Sequence, residues 1–232
     1  MCATASVPID SETLQSTLKA QLHPLGLTLL GGFELTAKDQ FPPLSGDVPA
    51  TSLVLIGNAG SQLWGPFNLK DYPTTNPLDR WTEESITPIA YNIGARALYP
   101  FVKSAGTYWP FQKWAMRAGI ASPSPLGILI HPTYGLWFAL RAALLLPISL
   151  GFPASSHAHP CETCVDKPCL SACPVNAFAE GSYAVPACRS YLREPPGNDC
   201  MTRSCRARRA CPVGQDLTYE PDHAAFHMKA FV

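Results

Sequence analysis

The sequence predicts an α+β fold in two unequal parts, an N-terminal domain over residues 1–155 and a small cysteine-bearing module over residues 156–232. Three observations carry that expectation. Helix-period and strand-like segments are interspersed through the first part. All five tryptophans lie at or before Trp137. Eight of the nine cysteines fall between Cys161 and Cys211, beyond the joint "GFPASSHAHP" from Gly151 to Pro160.

The elements follow in order. "DSETLQSTLKAQLHPLGL" reads as a helix, with Asp10 or Ser11 as N-cap and Leu14, Leu18 and Leu22 recurring every four residues. "TLLGGFEL" and "ATSLVLIGNAG" read as strands. The second is apolar enough to be a buried strand of a mixed sheet. "NPLDRWTEESITPIAYNIGARALYPF" predicts a helix broken by Pro88 that resumes through Tyr91 and Ala97. "LGILIHP" and "GLWFALRAALLLP" predict two more strands around the turn "HPTYG".

Composition narrows the function classes. The 232 residues suffice for one large domain or a domain with a module. A formal charge of +0 leaves out the basic footprint of a nucleic-acid binder, and no nucleic-acid partner is expected. "MCATASVPIDSETLQ" has no basic start, apolar stretch or twin arginine, so no export signal is read and a cytoplasmic protein is expected. That compartment keeps thiols reduced, which makes the cysteines metal ligands or redox groups rather than disulfides. The apolar run Leu126 to Phe152 would, as a membrane span, bury His131 and Arg141 and break at Pro132 and Pro147. A strand, turn and strand is expected instead, with no membrane span.

The cysteines carry the strongest chemical signal. Cys161, Cys164, Cys169 and Cys173 are spaced C-x2-C-x4-C-x3-C-P. The bacterial ferredoxin run is C-x2-C-x2-C-x3-C-P, whose fourth cysteine ligates the neighbouring cube. Cys188, Cys200, Cys205 and Cys211 form a second set that also ends in Cys-Pro. Eight thiolates fit two 4Fe–4S clusters, with Cys2 left over. The crossover rule assigns Cys161, Cys164, Cys169 and Cys211 to one cluster and Cys173, Cys188, Cys200 and Cys205 to the other. The second gap of the first set, widened to four residues, departs from the ferredoxin run. Structural zinc would prefer two Cys-x2-Cys hooks, and only Cys161/Cys164 offers one. In "CRARRAC", Arg206, Arg208 and Arg209 either favour a reduced, more negative cluster, dock an acidic electron donor, or form a solvated basic loop.

No dinucleotide fingerprint accompanies these cysteines, since "IGNAG" lacks G-x-G-x-x-G. The segment "ILIHPTYGLWFALRAALLLP" resembles the signature of the CblC family of cobalamin-processing proteins through His131, Pro132, Tyr134, Gly135, Trp137, Phe138, Ala139, Arg141, Leu145, Leu146 and Pro147. The resemblance spans most of residues 25 to 152 and is dense only in that block. It implies a flavin-reductase-like domain that binds cobalamin and removes its upper ligand. The C-terminal cysteine pattern is similar to that of epoxyqueuosine reductase, an iron–sulfur cobalamin enzyme, and reductive dehalogenases share that architecture. The chain departs from each. It lacks the long C-terminal domain and the recognisable catalytic acid segment of the first, and the export signal of most of the second. Unlike ordinary CblC proteins, it carries its own cysteine sets.

The hairpin residues also have a reading of their own. Gly135 lets the backbone bend and come close to a large flat ligand. Tyr134, Trp137 and Phe138 either cover apolar macrocycle edges or pack in the core. His131 either ligates cobalt or bonds turn backbone, the commoner role for a His-Pro turn. Arg141, inside an apolar run, needs an anionic partner, from cobalamin or from a buried carboxylate. The leading expectation is a cytosolic, CblC-like cobalamin reductase or decyanase with a built-in two-cluster module of bacterial-ferredoxin type, fed by a reductase or flavoprotein. The alternatives are a cobalamin-dependent reductase of an organic substrate, with Tyr72, Tyr91, Tyr99 or Tyr108 as candidate proton donors, and an electron carrier whose first domain only docks a partner.

Overall fold

The computed structural model describes residues 10–67, 72, 74–152, 158–178 and 182–232. Cys2 and the middle of the joint lie outside the described residues. Helix α1 (Ser11–Leu22) starts where a cap was expected: the Asp10 carboxylate accepts from the Thr13 N–H at 2.9 Å and from its hydroxyl at 2.7 Å. Leu14, Leu18 and Leu22 are its buried stripe.

Strands β1 (Thr28–Glu34) and β2 (Ser52–Ala59) follow, then α2 (Pro77–Asn92) and β3 (Arg96–Leu98). Two small pairs come next: β4 (Lys103–Ser104) with β5 (Thr107–Tyr108), and β6 (Ser122–Pro123) with β7 (Leu129–Ile130). Helix α3 (Phe111–Arg117) lies between those pairs, and β8 (Phe138–Leu146) completes the main sheet. The sheet order is β1-β2-β8-β3 with every neighbour antiparallel. The expected mixed sheet is therefore an antiparallel one. The unbroken apolar run of β2 reports cover on both faces, and strand direction leaves no mark on such a run. Alternation separates the two cores. Val54, Ile56, Ala142, Leu144 and Leu146 face α1 and α2, while Leu53, Leu55, Ala143 and Leu145 face Phe111 and Trp114 of α3.

Two expectations about helices and strands are corrected. Helix α2 continues through Pro88 instead of breaking there. Pro88 is exposed, so the carbonyl it leaves unpaired faces water, while Ile86, Ile89 and Ala90 hold the helix to the core. The helix then ends at Asn92, and residues 96–98 become a strand because the edge of β8 offers them hydrogen bonds. "LGILIHP" keeps only two strand residues; its link to the start of β8 is one bridge between His131 and Gly135.

The C-terminal module is built from short helices: α4 (Pro168–Ser171), α5 (Val185–Leu192), α6 (Asn198–Arg203), α7 (Arg206–Arg209) and α8 (Pro221–Phe231). It folds back onto the hairpin. Leu126, Ile130 and Leu136 share one buried cluster with Cys169, Cys173, Phe178, Ala207 and Cys211. Residues 134–135 cross residues 213–214 so closely that a Cβ on Gly135, at φ +58°, would lie 1.9 Å from the Val213 carbonyl oxygen. Among the described residues no helix is long and apolar enough to cross a membrane.

Candidate functional site

The eight cysteines gather into two groups of four. Cys161, Cys164, Cys169 and Cys211 line one cavity of about 220 Å³ with Pro160, Lys167 and Pro212. Cys173, Cys188, Cys200 and Cys205 line another, of about 270 Å³, with Phe178, Tyr183, Arg206 and Arg208. Each group joins residues from both Cys-Pro runs because Cys173 and Cys211 each reach across. Local sequence explains the positions. Pro168 opens α4 and sets Cys169 in its first turn, while α5 and α6 present Cys188 and Cys200. All eight are free thiols.

Among the described residues no three of His, Cys, Asp and Glu stand close enough to share one metal ion. A four-metal cluster makes a different demand, since each sulfur binds its own corner metal and the four stay further apart. Each cavity is lined by four thiols, the number such a cluster takes. Burial, followed by the neighbouring thiols Cys211, Cys169 and Cys164, pushes the Cys161 pKa up. Burial likewise raises Cys169, Cys200 and Cys205. Metal binding would release those protons.

The arginines of "CRARRAC" divide. Asp199 accepts from Arg206 Nε at 2.7 Å and from Arg209 Nη2, with Arg203 at 3.6 Å. Arg206, then Arg209, holds the Asp199 carboxyl below its usual range. Arg208 turns inward. Its Nε and Nη2 donate to the Leu136 carbonyl at 3.0 and 2.6 Å, and its guanidinium lies 4.3 Å from the Trp137 ring centroid and 4.5 Å from that of Tyr219. It also lines an open groove of about 250 Å³ along β8, with Gln112, Leu129, Leu136, Phe138 and Leu140. Arg208 and Ile128 line both this groove and the cavity of the second thiol set.

The hairpin residues named from sequence take these places. His131 Nδ1 accepts from the Thr133 and Tyr134 N–H groups at 3.0 and 3.1 Å, and its ring stacks on Tyr134 at 4.1 Å. It closes the turn that Pro132 begins. Gly135 makes its close approach to the chain's own Val213. Trp137 is fully buried, with Tyr219 edge-on at 5.3 Å. Phe138 belongs to the α3-side core and forms part of the groove wall. Arg141 Nε donates to Asn58 Oδ1 at 3.1 Å, whereas its buried Nη2 has no hydrogen-bond partner among the described residues, nor does Trp137 Nε1. Burial pulls the Arg141 pKa down, and it pushes that of Asp79 up against an opposing pull from Arg141.

A polar cluster missed by the sequence reading lies beside Arg141. Ser61 Oγ accepts the Glu220 N–H at 2.8 Å and stands 3.0 Å from His223 Nδ1. His223 Nε2 is 3.1 Å from His227 Nε2, and the His223 ring is sandwiched between Trp64 at 4.9 Å and Tyr219 at 3.9 Å. Burial, then Arg141, pushes both histidines down to about 3. The i,i+4 spacing of His223 and His227 was the only signal available, and nothing in the sequence joins α8 to Ser61. Of the tyrosines considered as proton donors, Tyr99 shares a hydrogen bond with Thr87 at 2.7 Å and is pushed up to about 12 by burial. Tyr91 and Tyr108 are exposed, and Tyr72 stacks on Phe67.

No family model and no curated protein matches the chain. Among solved structures, the fold is similar to that of a C. elegans B12-trafficking protein CblC, a human MMACHC homologue, at TM-score 0.54, with 14% identity over 94% of this chain and 91% of that one. Selenomethionine-labelled epoxyqueuosine reductase matches at TM-score 0.50, with 16% identity over 91% of this chain and 68% of that one. At such identities the likeness is one of fold.

Proposed function

We propose that the protein is an iron–sulfur-dependent cobalamin reductase and decyanase, which takes cobalamin as substrate, reduces its cobalt and frees the upper ligand. The observation that carries this reading is the pair of four-thiol cavities set beside the hairpin of a CblC-like fold. Residues 1–155 would form a flavin-reductase-like domain and residues 156–232 a module of bacterial-ferredoxin type. The clusters supply one-electron transfer when bound. Cys161, Cys164, Cys169 and Cys211 would hold one, and Cys173, Cys188, Cys200 and Cys205 the other. The groove along β8 shares Arg208 and Ile128 with the second cavity, which supports electron exit from that set.

The ligand face draws on two kinds of group. Leu129, Leu136, Phe138 and Leu140 give the groove an apolar wall. Arg141 Nη2, buried and without a partner among the described residues, calls for an acceptor, which an amide or phosphate oxygen of cobalamin would supply. His131, Pro132, Tyr134, Gly135 and Trp137 would hold the groove's shape from behind, through the turn and through contacts with Val213 and Tyr219. The formal charge of +0 supports a small-molecule ligand over nucleic acid.

The deciding experiment is anaerobic purification with iron, sulfide and cobalt assays, followed by addition of cyanocobalamin or hydroxocobalamin and a reductant. Two clusters per chain, cobalamin binding and a spectral shift to reduced cobalt are expected. Clusters without cobalamin affinity would leave an electron carrier. A second reading, reduction of an organic substrate with cobalamin retained as cofactor, draws on the Ser61–His223–His227 chain as a proton-handling group near Arg141. Cobalamin kept through turnover would select it.

A further inference from the structure

We propose that Arg208 and Tyr183 raise the reduction potential of the cluster held by Cys173, Cys188, Cys200 and Cys205 above that of the cluster held by Cys161, Cys164, Cys169 and Cys211. The inference rests on the two-cluster reading above and adds an inequality between the clusters with the side chains that cause it. Each cluster takes up one electron and gains one negative charge on reduction. A nearby cation and hydrogen bonds to the sulfurs therefore favour the reduced form.

Charge differs between the two cavities. Lys167, beside the first, is exposed and screened by water. Arg206, beside the second, is exposed and shares Asp199 with Arg209 and Arg203. Arg208 is different. Among the described residues no carboxylate pairs with it, its donors go to a neutral carbonyl, and Trp137 and Tyr219 shield its faces. Arg208 also lines the second cavity, which sets an uncompensated charge in that cavity's wall.

Hydrogen bonding points the same way. Each sulfur of the second set has a donor. Ala177 N–H reaches Cys173 Sγ at 3.3 Å, Arg206 N–H bonds Cys200, and the N–H groups of Ala207 and Arg208 bond Cys205. Tyr183 Oη donates to Cys188 Sγ at 3.6 Å. Its ring is held in a stack between Phe178 at 4.7 Å and Phe231 at 6.3 Å, so the hydroxyl is aimed by packing. In the first set the N–H groups of Cys169 and Leu170 both bond Cys169. Tyr183 is a side-chain donor added to what the backbone supplies.

The test is a dithionite titration of the anaerobically reconstituted protein, followed by electron paramagnetic resonance without cobalamin. Arg208→Met should lower one of two midpoints by at least a tenfold change in the reduction equilibrium, about 59 mV for one electron. Tyr183→Phe should lower the same midpoint by roughly threefold. Arg208→Lys should restore most of the loss, and Arg206→Gln should shift it less than Arg208→Met. Cys164→Ser, which removes a ligand of the first cluster, assigns the midpoints, and the affected one must survive in it. Unmoved midpoints in Tyr183→Phe and Arg208→Met, or a shift in the cluster that Cys164→Ser removes, overturn the inference and leave the two-cluster reading intact. If Arg208→Met fails to fold, Tyr183→Phe decides alone, since it removes the hydroxyl that donates to Cys188 and leaves the ring in its stack. A protein without iron overturns the cluster reading and this inference together.

Discussion

Gly135→Ala should unseat the cysteine module from the hairpin. Two costs add. Alanine at φ +58° carries about 1–2 kcal/mol of left-handed strain. The new Cβ would also stand 1.9 Å from the Val213 carbonyl oxygen and 2.7 Å from its carbon, both backbone atoms that no rotamer change can move. Relieving that clash means shifting the backbone two residues beyond Cys211, which overpacking data put at a further 1–3 kcal/mol or so. The total, roughly 2–5 kcal/mol, is a large part of a typical domain's 5–15 kcal/mol. Gly127→Ala supplies the control: its φ is +75°, yet nothing lies within 4 Å of its added Cβ, so it carries strain alone. Urea unfolding of both variants, with iron assayed per chain, makes the comparison. Gly135→Ala should be less stable than Gly127→Ala by at least 1 kcal/mol or so and should lose iron first from the Cys161, Cys164, Cys169 and Cys211 set. Equal midpoints and full iron in both would show that residues 134–135 and 213–214 do not cross as described.

Cys164→Ser and Cys200→Ser should each lower iron and sulfide to about half, from different clusters, while Cys2→Ser leaves both unchanged. His223 and His227 are pushed down to about 3, below an unfolded value near 6.5, so their contribution to stability is complete above pH 6.5 and is lost as pH falls toward 3. Urea midpoints should fall by an amount worth about 3 kcal/mol for the two histidines together between pH 6.5 and 5, and the double variant His223→Asn/His227→Gln should flatten that slope. The lowered carboxylates Asp39 and Asp199 act below that window, as pH drops through the ordinary carboxylate range. Arg141→Met should leave the ligand-free protein within about 1 kcal/mol of its stability, because a buried charge with an unpartnered Nη2 is exchanged for apolar bulk. The same variant should weaken cobalamin binding at least about tenfold in absorbance titrations, one lost hydrogen bond to a charged donor being worth 1.5–3 kcal/mol or so.

The sequence alone determined what depends on near neighbours along the chain. Asp10 capping α1, the Leu14–Leu18–Leu22 stripe and the alternating cores of β2 and β8 follow from periods of 3.6 and 2, which any short window displays. Tertiary structure decided the rest. Pro88 stays in a helix because its neighbours are held by the core, and a buried run such as β2 does not record which way its partners run. Gly135 turned out to meet Val213, and Arg208 turned inward while Arg206 and Arg209 met Asp199. His223 met Ser61 across 162 positions of chain. Contacts between residues so far apart are selected by packing of the whole chain, and local patterning carries no trace of them.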